Sequence, residues 1–335
     1  MDAPLQGRER RSISVVTPVY NGEGSVAELC RRLDDVLPRI AIKHEIILVN
    51  DGSRDRSWDV ISELSSRYPA VRGFNLMRNY GQHNALLCGI RAAKYDVIVT
   101  MDDDLQQPPE EIPRLLEQLE QGFDVVYGVP TGEQNGLMRA LASHITRLAL
   151  RTAVGSEVAK NVSAFRLFRT QLREAFADYH TPFVSVDVLL TWATTRFGAT
   201  RVPFQKRYCG SSNYRFTTLL RHALNMMTGF STAPLQLASL IGFGCTLFGI
   251  AIFVYVVGYY LLQGSIPGFP FLASIIAIFS GAQLFALGVM GEYLARVHFR
   301  TMNRPTYAVR QTTGPARGVP SGTASSLVEQ EIKAV

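Results

Sequence analysis

The sequence predicts an α/β domain with a largely parallel sheet, joined to a helical hairpin built for a membrane. Two observations carry this. Up to Tyr127, short β-branched runs alternate with segments whose apolar residues recur at helical spacing. Between Arg221 and Glu292 the chain then has no Asp, Glu, Lys or Arg at all. Two apolar runs inside that stretch each reach the roughly 20 residues that a membrane-crossing helix needs.

The elements follow in order. Ile13 to Thr17 reads as a buried strand, and Ser25 to Leu37 as a helix carrying Val26, Leu29, Leu33, Val36 and Leu37. Glu45 to Val49 is a second strand, ending at Asn50-Asp51-Gly52-Ser53. Ser57 to Tyr68 is helical, with Trp58, Ile61 and Leu64 on one stripe. Val71 to Leu76 is a strand, Asn84 to Ala93 a helix, and Val97 to Met101 a strand stopped by three aspartates. Pro109 to Gln121 is a helix with proline near its start, where a missing N–H costs nothing. Asp124 to Tyr127 is a strand. A β-α-β-α order implies a sheet covered by helices on both faces. In such sheets ligands bind beyond the carboxyl ends of the strands. Three clusters lie at such ends: Pro18-Val19-Tyr20-Asn21, Asn50-Asp51-Gly52-Ser53 and Asp102-Asp103-Asp104.

The candidate spans are Pro234 to Leu262 and Phe271 to Met290, joined by a short polar turn with glycine and proline. Arg207, Arg215 and Arg221 precede the first span, Arg296, Arg300 and Arg304 follow the second, and the turn carries no charge. By the positive-inside rule both outer ends are cytoplasmic. The stretch Phe216 to Phe230, beside Arg215, Arg221 and His222, reads as an amphipathic interfacial helix. Small residues such as Gly242, Gly244 and Gly249 suit association of such hairpins into a homo-oligomer. The tail after about Tyr307 is rich in Gly, Ser, Thr and Pro and reads as disordered.

Composition narrows the classes. The 335 residues suffice for one large domain and a smaller membrane part, and the net charge is +6. That charge fits ordinary solubility, and equally attraction to lipid headgroups or a phosphorylated ligand. A Lys/Arg stripe with interleaved aromatics is lacking, which argues against nucleic acid. Cys30, Cys88, Cys209 and Cys245 form no CxxC pair. A disulfide framework is therefore not expected, and free thiols suit a reducing compartment. Met1 to Arg11 is polar and no apolar h-region follows, so no cleaved signal is read.

Asp102-Asp103-Asp104-Leu105-Gln106 is the most informative segment. Adjacent carboxylates repel, and a divalent cation or ordered donors must compensate. Hard oxygen ligands suit Mg²⁺ or Mn²⁺, which also take diphosphate oxygens. In extended chain Asp102 and Asp104 point the same way, and Gln106 can join them. An acidic loop capping the next helix fits the same residues.

Taken together, Val16-Thr17-Pro18-Val19-Tyr20-Asn21, Val49-Asn50-Asp51-Gly52-Ser53 and Asp102-Asp103-Asp104-Leu105-Gln106-Gln107-Pro108-Pro109-Glu110 resemble the inverting family 2 glycosyltransferases of the GT-A fold. The Leu-Gln-x-Pro-Pro-Glu extension is similar to the subgroup acting on polyprenyl phosphates. That subgroup includes dolichol-phosphate mannose synthase, polyprenyl-phosphate glucosyltransferases and undecaprenyl-phosphate 4-deoxy-4-formamido-L-arabinose transferase. The likeness continues through Arg207 to Tyr214 and the paired spans, and covers roughly residues 12 to 310. It implies that Pro18, Tyr20, Val49 and Asp51 hold the base and ribose of a nucleotide-sugar donor. It implies that Asp102 and Asp103 lie near the ribose and diphosphate, and that Asp104 and Gln106 ligate the metal. Arg139 and Ser143, four apart and so on one helix face, match residues that hold the acceptor phosphate; Arg207 matches a basic residue near the phosphates. Asp102, Asp104, Arg139 and Arg207 thus form the expected catalytic set. The sequence departs from the pattern at Gly22, where the family commonly has Glu, at Asn161 and Ala164, where an aspartate is usual, and at Asn213, where a lysine is usual. The loop Val129 to Leu137 also lacks the basic residues of its counterpart.

The resemblance implies a metal-dependent, inverting transfer of a sugar, UDP-linked by subgroup likeness, to undecaprenyl phosphate for cell-envelope glycan or lipid modification. The enzyme would sit in the inner membrane with its catalytic domain in the cytoplasm. Two alternatives are a processive family 2 polysaccharide synthase and a non-catalytic nucleotide-binding scaffold. Against the first, neither Trp58 nor Trp192 lies in a Gln-x-x-Arg-Trp motif. The expected division is a polar arm (1–11), a GT-A catalytic domain (12–214), an interfacial helix (215–232), a two-helix hairpin (233–297) and a cytoplasmic tail (298–335) disordered at its end.

Overall fold

The computed structural model describes residues 11–131, 158, 161–181, 183–206, 208, 233–263, 268–302 and 305–314. The expected interfacial helix, together with Arg139, Ser143, Arg207 and Asn213, lies outside the described residues.

The first half follows the predicted alternation: β1 (Arg11–Val19), α1 (Val26–Ile40), β2 (Ala41–Asn50), α2 (Ser57–Arg67), β3 (Val71–Leu76), α3 (Gln82–Ala92), β4 (Val97–Thr100), a 3-10 turn at Pro109–Glu111, α4 (Ile112–Glu120) and β5 (Val125–Thr131). Then come β6 (Arg166–Arg169), α5 (Val186–Ala193), β7 (Phe197–Pro203), the long helices α6 (Ala233–Gln263) and α7 (Phe269–Thr301), and β8 (Val309–Thr313). The strands form one sheet in the order β7-β5-β6-β4-β1-β2-β3-β8. The pairs β1–β2, β1–β4, β2–β3 and β5–β7 are parallel. Strands β6 and β8 bring in the antiparallel pairs β4–β6, β5–β6 and β3–β8.

Alternation along the strands builds a core on each face of the sheet. Ile13, Val15, Ile46, Leu48, Val97 and Val99 pack with α1, α2 and α4. Val16, Ile47, Val49 and Ile98 face the other way, toward α3 and α5. On α1 the buried residues Val26, Leu29, Cys30, Leu33 and Leu37 recur at three- and four-residue steps, so one stripe meets the sheet. Burial pushes the thiols of Cys30 and Cys88 up to about 12, so both behave as apolar core groups. In the antiparallel half, Arg166 Nη1 lies 2.5 Å from Asp187 Oδ1, which also accepts the Tyr127 hydroxyl at 3.0 Å. This buried cluster fixes α5 to β5 and β6.

Helices α6 and α7 pack on each other and contain windows of mean hydropathy 2.4 and 1.3, unburied inside the protein. They are long and apolar enough to cross a membrane. Helix α7 has 33 residues, or about 50 Å at 1.5 Å per residue, well beyond a hydrocarbon core of about 30 Å. Its last turns carry Glu292 and Arg296, bonded to each other at 3.0 Å. Gly249 serves the hairpin itself: a Cβ there would lie 2.7 Å from the Phe279 ring, whereas Gly242 and Gly244 face open space.

One expectation is corrected. Order does not end near Tyr307. Thr306 and Tyr307 are buried, and β8 follows as an edge strand along β3. Its residues, Val-Arg-Gln-Thr-Thr, have little apolar pattern; the exposed edge of β3 supplies the pairing that makes them a strand.

Candidate active site

The chain runs from β1 outward through β2 to β3, then crosses to β4 on the other side of β1. That reversal opens a crevice beyond the carboxyl ends of β1 and β4, the place where open α/β sheets bind ligands. All three predicted clusters lie along this edge, because β4, β1 and β2 are adjacent and parallel.

After β1, Asn21 takes a left-handed backbone with φ 54°. Its N–H donates to Ser53 Oγ at 3.0 Å, and its side-chain oxygen accepts from Arg54 N at 2.9 Å. Gly22 N donates to Ser57 Oγ at 2.9 Å. These bonds join the turn after β1 to the turn after β2. Tyr20 is 47% exposed and available as a surface for a ring, while Pro18 and Val49 are buried. The Val49 side chain packs in the core against Gly89, so only its backbone borders the crevice.

Asp51 is buried at 3% exposure. Its Oδ1 accepts Tyr80 N at 2.7 Å and its Oδ2 accepts Gly81 N at 2.9 Å. Burial pushes its pKa above the usual aspartate value, and the two backbone donors pull the other way. Among the described residues no arginine, lysine or histidine forms an ion pair with Asp51. One lone-pair direction on each carboxylate oxygen is left for a ligand donor.

After β4 the chain turns through Asp102, Asp103, Asp104 and Leu105, the last a buried non-glycine residue at φ 59°. A left-handed leucine is strained, and such strain concentrates at functional sites. Asp102 Oδ1 accepts Gln82 Nε2 at 2.7 Å. Asp104 Oδ1 accepts Gln106 N at 3.1 Å. Residues after β7 brace this turn: Gln205 N donates to Gln106 O at 2.9 Å and Tyr208 N to Asp104 O at 3.1 Å. Arg207 itself lies outside the described residues. The Cα of Gly22 sits so close to the acidic turn that an added Cβ would lie 2.0 Å from Asp103 Oδ2. The departure at Gly22 thus has a local reason in this chain.

The site therefore gathers Tyr20, Asp51, Asp102, Asp103, Asp104 and Gln106 at one sheet edge, with Pro18 and Val49 behind them. Among the described residues no three His, Cys, Asp or Glu side chains converge as a ready-made metal cage. That fits a cation held by Asp104 and Gln106 only together with ligand oxygens, since Mg²⁺-type sites commonly use one or two protein groups plus phosphates. Of the departures, Ala164 lends its carbonyl to Thr100 Oγ1 at 2.9 Å, and Asn161 is exposed. Sequence reasoning missed the loop after β3. Tyr80, Gly81 and Gln82 supply three of the bonds that hold the site's carboxylates, and the only cue is their place at the end of a fourth parallel strand.

Comparison with known proteins gives the family. Residues 14–177 match the model of glycosyl transferase family 2. A relative in Pectobacterium carotovorum is 35% identical over 91% of this chain and 95% of its own length. A relative in Pseudomonas aeruginosa is 34% identical over 94% of this chain and 93% of its own. Both bear the name undecaprenyl-phosphate 4-deoxy-4-formamido-L-arabinose transferase. The chain belongs to glycosyl transferase family 2: it is a glycosyltransferase with a GT-A-like α/β domain and two candidate membrane helices. Among solved structures, Mycobacterium tuberculosis glucosyl-3-phosphoglycerate synthase overlaps 65% of this chain and 78% of its own, with TM-score 0.48 at 17% identity.

Proposed function

We propose that this protein transfers a sugar from a UDP-linked donor to undecaprenyl phosphate, with inversion, at the cytoplasmic face of the inner membrane. The observation that carries this reading is the direction from which the chain returns to the sheet. Only a few residues separate the end of α7, Thr301, from buried Tyr307. β8 then begins beside the carboxyl end of β3, with Val309 opposite Leu76. The Arg296 guanidinium near the end of α7 lies 4.8 Å from the Phe183 ring, just before α5. The membrane hairpin thus meets the α/β domain at the edge that holds Asp51 and the acidic turn. A polyprenyl chain stays in the bilayer, so a transferase acting on its phosphate must present its site there. The names of the relatives support the same acceptor, and 4-deoxy-4-formamido-L-arabinose as the first sugar to try.

The reaction is one in-line displacement. A phosphate oxygen of the lipid attacks the anomeric carbon, the bond from that carbon to the diphosphate breaks, and the nucleoside diphosphate leaves. A phosphate with second pKa near 6 is largely dianionic at neutral pH, so no base need remove a proton. This suits a chain with Asn161 and Ala164 in the segment where the resemblance leads one to expect an aspartate. Tyr20 and Asp51 bind the base and ribose, with Pro18 and Val49 forming the wall behind them. Asp102 and Asp103 orient the ribose and diphosphate. Asp104 and Gln106 would hold Mg²⁺ or Mn²⁺, which when bound neutralises charge building on the leaving diphosphate. Arg139 and Ser143 hold the acceptor phosphate, and Arg207 offsets repulsion between the two phosphate-bearing substrates.

The test is turnover. Purified protein in detergent is given undecaprenyl phosphate and a panel of UDP-sugars, and released UDP and the lipid product are measured. One sugar should support transfer. Asp104→Ala should lower the rate by about 10²–10³-fold, the size typical of losing one preorganised charge-stabilising group, with the melting temperature kept. Donor-bound protein that never releases UDP, whatever the sugar, would favour the scaffold reading instead.

A further inference from the structure

The strap that follows the membrane hairpin grips the donor side of the site. Tyr307 is 2% exposed and packs in the core on the α3 side, with its hydroxyl beside Cys88 and the Arg91 guanidinium 5.9 Å from its ring. β8 then runs antiparallel along β3, pairing Leu76 with Val309 and Gly73 with Thr313. Where β3 ends, Met77 is held on both sides of its backbone. Its N–H donates to Ala308 O at 2.9 Å, and its carbonyl accepts Arg310 Nη2 at 3.1 Å. Three residues later come Tyr80 and Gly81, whose N–H groups hold the Asp51 carboxylate. The loop between is tightly packed. The Arg78 guanidinium lies 4.6 Å from the Tyr80 ring, and the backbone of Arg78 and Asn79 presses on Gly52. A Cβ on Gly52, at φ +65°, would lie 2.5 Å from both Arg78 C and Asn79 N. Strap, loop and Asp51 turn are therefore one stack. One side of the loop is pinned by Asp51; the other is pinned by a segment that the chain supplies only after the hairpin.

We propose that residues 305–314 are a positioning element for the donor site, setting the loop Met77–Gly81 and, through it, the orientation of Asp51. The inference rests on reading Asp51 as a donor-binding residue. Its physical basis is simple. Without the strap Met77 loses both backbone partners, β3 becomes a bare edge, and the loop samples conformers that do not present Tyr80 N and Gly81 N to Asp51. A site formed only a fraction of the time binds more weakly by that fraction. A strand that merely covered the β3 edge would protect against aggregation but leave nucleotide affinity alone.

The experiment compares UDP binding by calorimetry in detergent for the whole chain, a chain ending after Arg304 and a chain ending after Gly314. The chain ending after Arg304 should bind UDP about tenfold more weakly, as expected if one conformer in ten is competent. The chain ending after Gly314 should match the whole protein, and a synthetic peptide of residues 305–314 should restore affinity to the shorter one. Equal affinity in all three chains overturns the proposal. If the shorter chain fails to fold, Arg310→Ala in the whole protein decides, because Arg310 is exposed. A weaker UDP affinity at unchanged melting temperature supports the strap's role, and unchanged affinity overturns it. A whole chain that binds no UDP at all would overturn the donor reading itself, and the strap's role with it.

Discussion

Strand β2 carries one buried carboxylate, Glu45, and a second, Asp51, follows its last residue; the two are treated oppositely. Glu45, at the amino edge of the sheet, is 4% exposed and fully provided for. Its Oε2 lies 2.8 Å from Arg72 Nη1, and its Oε1 accepts Ser14 Oγ at 2.8 Å and Lys94 N at 2.7 Å. Asp51, just past the carboxyl edge, is equally buried but among the described residues is met by two backbone N–H groups and no cation. A buried charge is tolerated when it is paired and hydrogen-bonded. Glu45 is satisfied by the fold alone, so nothing at that edge waits for a ligand. At Asp51 the described residues supply two backbone donors and no cation, which leaves acceptor capacity on both oxygens for a ligand. The contrast belongs to these two carboxylates rather than to the edges as a whole: Arg72, Arg169 and Arg196 pair with carboxylates at or near the amino edge, but Arg166, opposite Thr100 at the carboxyl end of β4, pairs with Asp187.

The contrast is broken most directly at the structural end. Arg72→Ala leaves Glu45 buried and unpaired, and losing one partner of a buried ion pair costs about 3–5 kcal/mol. Global stability in denaturant titration should fall by that amount. UDP affinity of the protein that remains folded should not change, because Arg72 is at the far edge of the sheet from the crevice. A large loss of affinity with little loss of stability would mean that the two edges are not separate in role.

A smaller change tests the crevice side. Gly22→Ala places a methyl group 2.0 Å from Asp103 Oδ2 and 3.1 Å from Val19 Cγ1. The carboxylate has to swing away, and crowding of this kind typically costs about 1–3 kcal/mol. Here the cost should divide unequally, with a small drop in melting temperature and a larger rise in the UDP dissociation constant. If UDP binding is untouched while stability falls, Asp103 does not face the donor.

How much of this was legible in the sequence depends on where the deciding contact comes from. The α1 stripe and the strand-end clusters at Asn50-Asp51 and Asp102-Asp104 are local patterns, and residue spacing alone exposes them. The approach of Gly22 to Asp103 is not local: it exists because β4 lies beside β1, a fact of sheet order. The loop Met77–Gly81 carries no acidic or proline signature, and its importance comes from what Asp51 accepts. β8 hides in a Gly/Ser/Thr/Pro-rich tail, because an edge strand borrows its order from the neighbour it pairs with. The expected roles of Arg139, Ser143 and Arg207 concern residues outside the described part of the chain, and they stand on resemblance.

The finest test of the contrast is Asp51's own titration. Burial raises its pKa above the ordinary 3.8, against the pull of Tyr80 N–H and Gly81 N–H. With the folded value above the unfolded one, the favourable contribution to stability is fully present below the unfolded pKa. It is lost as pH rises through the folded pKa, so at neutral pH ionised Asp51 is a net cost to the fold. Ligand binding has the opposite requirement, because only the ionised carboxylate offers all its lone pairs to donor N–H or hydroxyl groups. Uridine, which has no titrating phosphate, isolates this effect. Its affinity should hold near neutral pH and then fall as pH drops toward the raised pKa of Asp51, approaching about tenfold per pH unit once the proton outcompetes the ligand. Asp51→Asn should bind more weakly throughout and lose this acid limb. A uridine affinity that stays flat down to the ordinary aspartate range, or an acid limb that survives Asp51→Asn, would remove Asp51 from the donor site and leave it a buried carboxylate of the same kind as Glu45.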